Sequence, residues 1–169
     1  MAIEGQLRQG LLQVQLAAIP WSLLCLELAE AGHRPSAPSP FGDPYTVQAL
    51  ALPLLLGLQW CLCTILVFSR CITAGHRVSL GKLARDTGAC LGFPLLIAFV
   101  LPDYLAWRTG GFSAMTQIFP ITALLCLVLI GLGGVRTIQS QTPLSRVVAL
   151  KIFAHGLFWS SLPILVMVR

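Results

Sequence analysis

Charge is what this chain of 169 residues has least of: 10% of its side chains are Asp, Glu, Lys or Arg, while 56% are hydrophobic. A soluble domain carries about 25% charged residues, so too few are present here to solvate a globular surface. The scarcity excludes an ordinary soluble protein and leaves the bilayer as the solvent that suits the chain. Catalytic signatures are missing as well. There is no glycine-rich phosphate loop with its Lys, no His-Glu-x-x-His and no Gly-x-Ser-x-Gly, and no enzyme activity is expected. The six cysteines, Cys25, Cys61, Cys63, Cys71, Cys90 and Cys126, form no metal set. Cys61 and Cys63 are the one close pair, and two residues apart on a helix they face different directions. No cofactor is expected. The net charge of +5 falls between apolar runs, so it marks orientation in a membrane and not a nucleic-acid partner.

What is present is a succession of apolar runs, at about 11–29, 46–68, 87–107, 114–135 and 147–168. Crossing a ~30 Å hydrocarbon core takes about 20 mostly apolar residues. The expectation is a single all-α integral membrane domain, a compact bundle of five transmembrane helices. The first run is the weakest, holding Gln13, Gln15, Ser22 and Glu27. An interfacial first helix would leave four spans. A cleaved signal peptide is the other rival, because Ala29-Glu30-Ala31 mimics a small-x-small cleavage site; retention and spanning are the reading adopted. Residues 30–45 read as a proline-rich loop. The second run is uncharged, with Gln59 as the strongly polar side chain at its middle.

A basic loop, RCITAGHRVSLGKLARD, feeds the third run, TGACLGFPLLIAFVLPDYLAW. The Gly88-x-x-x-Gly92 spacing in that run puts two small residues on one face, where a second helix can approach closely. An external loop, RTGGFS, is expected next. Gly133 and Gly134 near the end of the fourth run are further packing candidates. Every run holds a proline (Pro20, Pro53, Pro94 with Pro102, Pro120, Pro163), so bends are expected wherever a backbone donor is lost.

The basic residues set the orientation, since cytoplasmic loops carry the excess of Lys and Arg. Arg8, Arg70, Arg77, Lys82, Arg85, Arg136, Arg146 and Lys151 fall on one side, against Arg34, Arg108 and Arg169 on the other. The N-terminus is expected in the cytoplasm and the C-terminus across the membrane. Basic loops can also meet anionic headgroups, though topology alone accounts for them.

Ionisable groups inside a membrane are functional candidates by default. At 1.5 Å per residue, Asp103 lies about 24 Å from the cytoplasmic start of its run, near the outer interface, with Glu27 at similar depth. Solvation or pairing with Arg34 or Arg108 is the plain reading of both; an acidic rim to an ion path is the sharper one. His155 lies about 12 Å from the cytoplasmic face. Haem b between helices usually needs two histidines at matching depth, and His33 and His76 are in loops. A bond from His155 to a neighbouring helix is expected.

Val78-Ser79-Leu80-Gly81, then Gly92-Phe93-Pro94, and Gly134-Val135-Arg136 before TIQSQTPLSR resemble the pattern of the Yip domain family, polytopic proteins that interact with Ypt/Rab GTPases. The resemblance covers about 46–169. It implies five membrane helices with a cytoplasmic N-terminus, and it suits a short bacterial member of an inner membrane. It assigns no functional residue; the family's Tyr-Gly-Pro-type motif has only Phe41-Gly42-Asp43-Pro44 as a counterpart here. The expected function is a non-enzymatic scaffold or accessory subunit that packs on the lipid bilayer, on itself or on other membrane subunits. The alternatives are a small transporter or channel component using Glu27, Asp103 or His155, and a redox subunit touching haem or quinone through His155.

Overall fold

The computed structural model describes residues 2–33 and 44–167. Expectations placed on the proline-rich connection 34–43, including Arg34 and Asp43, on the Pro163 ring and on the last two residues lie outside what is described. The helices are α1 (Ala2–Glu30), α2 (Pro44–Thr73), α3 (Leu80–Pro94), a π-helical turn (Leu95–Val100), α4 (Leu101–Gln139) and α5 (Arg146–Met167). No strand occurs among the described residues.

Three helical stretches are long and apolar enough to cross a membrane: Ile3–Glu30, Tyr45–Thr73 and the continuous Leu80–Gln139. The third, of 60 residues, would be about 90 Å long if straight. It reverses at Gly111, where φ is 70° and ψ −166°. That region of backbone space belongs almost wholly to glycine. The reversal is visible in the partners across it. Thr122 Oγ1 donates to Asp103 Oδ1 at 2.9 Å, although a straight helix would hold these residues about 28 Å apart. Phe99 meets Phe119 with ring centroids 5.4 Å apart, and Cys90 Sγ reaches Ile130 O at 3.1 Å.

Two local expectations are corrected. No loop occupies 108–113: helix runs up to Gly111 and resumes beyond it, because one glycine in this conformation suffices to turn the chain. The polar N-terminal residues belong to the first helix, since α1 begins at Ala2. The basic segment 70–86 is mostly helical, leaving 74–79 as the connection. Ser79 ends that connection in an extended conformation and caps α3, its hydroxyl accepting from the Lys82 backbone N–H at 3.5 Å.

Residue pairings give the directions of packing. Gln15 Nε2 donates to Pro53 O at 2.9 Å, and Gly57 sits against Leu11 and Gln15, so α1 and α2 are antiparallel. Gly10 lies on Gly88, Gln13 on Gly92 and Trp21 on Phe99; with that constant offset α1 and α3 are parallel. Gln59 pairs with Ser161 and Arg70 with His155, so α2 and α5 are antiparallel. Gly134 sits under the Phe153 ring, which joins α5 to α4. Five rods that alternate in direction along the chain therefore close a ring in the order α1, α2, α5, the 112–139 arm of α4, and α3 with its continuation to Gly111, with α1 and α3 as its parallel neighbours.

The interior is mostly apolar, with Val14, Ala18, Leu52, Leu83, Ala84, Val67 and Phe153 all buried. The outside is apolar too: Leu50 and Leu54 are 76% and 75% exposed, and Ile121, Leu124, Leu127 and Leu132 stand out from α4. Soluble monomers rarely expose contiguous apolar surface on this scale. An apolar interior within an apolar exterior suggests a membrane protein.

Candidate functional site

The small-residue positions come first, because they determine how closely the rods approach. A Cβ added at Gly88 would overlap the backbone of Gly10, and one at Gly92 would overlap the backbone of Gln13. Backbone cannot swing aside, so these two glycines hold α3 directly on α1. Gly10 completes the contact from the other side, against Ala84 O and the Trp60 ring, and Trp60 Nε1 donates to Ala84 O at 2.8 Å. Gly134 leaves room for Phe153, whereas Gly133 faces the Cys90 side chain.

The ionisable candidates are placed at two separate ends. Glu27 accepts from Trp107 Nε1 at 3.2 Å and lies 3.7 Å from Arg108, the pairing expected of it. Asp103 is not solvated, as the plain reading had it. Only 3% of it is exposed, and its partner is the Thr122 hydroxyl rather than an arginine. The hairpin at Gly111 folds the 112–139 arm over it, which depth along one helix does not reveal. An aromatic cap lies beside these groups: His33 stacks on Phe112 with centroids 4.4 Å apart and meets Trp107 edge-on at 5.2 Å. His155 is at the other end, its Nε2 3.1 Å from Arg70 Nη2. Since α2 carries Tyr45 beside the Leu24–Leu28 cluster and Arg70 in its last turn, the two ends are about 37 Å apart. The structure does not bring Glu27 or Asp103 together with His155. Among the described residues no group of three or more His, Cys, Asp or Glu could hold a metal ion.

Between the ends lies a cavity of about 360 Å³, lined by all five rods: Val14 and Trp21 from α1, Leu56 and Gln59 from α2, Leu91 from α3, Leu95 and Phe99 from the π-helical turn, Phe119, Ala123, Cys126, Leu127 and Ile130 from α4, Leu157 and Ser161 from α5. Its walls are almost wholly apolar. Gln59 and Ser161 are the exception: Gln59 Nε2 donates to Ser161 Oγ at 2.8 Å, and Ser161 Oγ donates to Leu157 O at 2.7 Å.

The π-helical turn shapes one wall, and its origin is local. Pro102, just beyond the turn, has no backbone N–H, and its ring crowds the carbonyl four residues back, that of Ala98 inside the turn. The chain relieves this by widening, and Leu101 N–H bonds to Leu96 O, five residues back. The widened turn sends Leu95 and Phe99 into the cavity, where Phe99 stands edge-on between Trp21 (5.1 Å) and Phe119 (5.4 Å). Sequence reasoning expected a bend at Pro94 but not a cavity. The available signal was Gln59, an amide at the middle of an uncharged run, read only as an exception to apolarity.

Comparison of the chain with known protein families, with curated proteins and with solved structures finds no match.

Proposed function

We propose that the chain is a non-enzymatic integral membrane protein that crosses the bilayer five times, N-terminus in the cytoplasm, and serves as a scaffold or accessory subunit of a larger membrane complex. The observation that carries this reading is the separation of the ionisable groups. Glu27 and Asp103 are occupied by Trp107, Arg108 and Thr122 at one end, His155 by Arg70 at the other, with an apolar cavity between them. That arrangement offers neither a relay of polar groups through the bundle nor a nucleophile with a base. The chain presents apolar helix surface outward, most broadly on α4, where Thr122, Cys126, Ile130 and Gly134 are buried and the side chains between them mostly are not. Surface of that kind packs against lipid and against other membrane helices.

The orientation follows from clustering of the basic residues. Lys82 Nζ donates to Ser140 O at 3.4 Å and Ser79 N–H to Gln141 Oε1 at 2.9 Å, while Gly81 packs on Gln6. The loops 74–79 and 140–145 and the start of α1 thus share the Lys/Arg-rich end, which belongs in the cytoplasm. A short Yip-like member of a bacterial inner membrane fits this arrangement.

The test is purification of the tagged chain in a gentle detergent, with mass-spectrometric identification of co-purifying polypeptides and an absorption spectrum. Stoichiometric partner subunits and a colourless preparation are expected. A partner-free homo-oligomer would overturn the accessory role and favour transport; a Soret band lost in His155→Ala would favour the redox reading.

A further inference from the structure

We infer that the central cavity binds one neutral, lipid-soluble molecule, one carbonyl or hydroxyl group of which meets the Gln59 amide and whose apolar chain leaves sideways past α4. The volume, about 360 Å³, falls within the ~300–1,000 Å³ typical of small-ligand pockets. Among the described residues no charged side chain lines it, which selects a neutral ligand. Gln59 supplies the polar contact. One of its amide hydrogens goes to Ser161, leaving the second N–H to meet a ligand carbonyl and Oε1 to meet a ligand hydroxyl.

Depth narrows the class. Gln59 stands midway along Tyr45–Thr73, about 21 Å of helix from either end, so its amide lies near the bilayer midplane. The ester groups of glycerolipids stay at the interface, whereas a quinone ring or the hydroxyl of a long-chain alcohol is compatible with the core. The wall formed by Trp21, Phe99 and Phe119 suits a flat or unsaturated head. Leu127 lines the cavity yet is 58% exposed, which marks the opening through which a chain reaches lipid. The π-helical turn that forms part of the wall is a distortion found often at functional sites. The site requires only that the bundle lie in the membrane. Loss of ligand binding and loss of a protein partner are therefore separate results.

The experiment is titration of the purified full chain in detergent with decylubiquinone, geranylgeraniol and hexadecane, read by the thermal unfolding midpoint and by Trp fluorescence. At least one of the two polar-ended probes is expected to bind saturably, at least tenfold tighter than hexadecane. A preference for decylubiquinone identifies a carbonyl ligand, and a preference for geranylgeraniol a hydroxyl ligand. Gln59→Leu is expected to erase that tenfold preference, and Ala123→Phe, which fills the cavity, to abolish saturation while the protein still unfolds cooperatively. Equal behaviour of all three probes in the wild type overturns the proposal, as does polar-probe binding that survives both substitutions.

Discussion

At the scale of single residues, Gly92 and Gly131 make a controlled comparison. A side chain at Gly92 meets the Gln13 backbone, whereas nothing lies within 4 Å of a Cβ at Gly131. Gly92→Leu is expected to destabilise the bundle by at least about 2 kcal/mol through overpacking, and Gly131→Ala to stay within about 0.5 kcal/mol. Thermal unfolding of both in the same detergent checks this. Asp103 offers a second comparison. Asp103→Asn keeps an oxygen for the Thr122 hydroxyl, and its effect on the midpoint should correspond to less than about 1 kcal/mol, the usual scale of an interhelical hydrogen bond in a membrane. The close-approach face was legible in the Gly88-x-x-x-Gly92 spacing. Its partner was not, because Gly10 lies in the short polar stretch before the first apolar run. The depth of Asp103 was equally legible, while its burial depended on a reversal eight residues further on.

At the scale of elements, two backbone features decide the shape of the third and fourth rods. Gly111 adopts a conformation closed to side chains, so Gly111→Ala should cost about 1–3 kcal/mol and loosen the hairpin, measurable as faster proteolysis between residues 105 and 116 in detergent. Pro102 maintains the π-helical turn by withholding a donor and crowding Ala98 O. Pro102→Ala restores that N–H and should let the turn relax to α-helix, rotating the residues beyond it by about 100° relative to those before it. Phe99 would then leave Trp21, and Trp fluorescence should shift in the variant. The apolar runs themselves were plain in the sequence, since period and length determine them. The π-helical turn was not, because a proline in a membrane helix can be relieved by a kink, by a neighbour's side chain or by a widened turn.

At the scale of the whole molecule, the ring of five rods brings the loops 74–79 and 140–145 to one end with the start of α1, and sets Glu27, Arg108 and Gly111 at the other. Alternation was legible from the order of basic and apolar stretches; the neighbour order around the ring was not, because helix length and charge say nothing of which face meets which. The central claim, a chain that crosses the membrane in alternate directions with its basic end in the cytoplasm, is tested most directly by single-cysteine accessibility. Gly5→Cys, Ala74→Cys, Thr109→Cys and Pro143→Cys, each in a cysteine-free background, would be labelled in intact cells with a membrane-impermeant maleimide. The account predicts labelling at 109 alone, with 5, 74 and 143 reacting only after the membrane is opened. Labelling of 74 and 109 from the same side would contradict it, because the rod between them would then not cross.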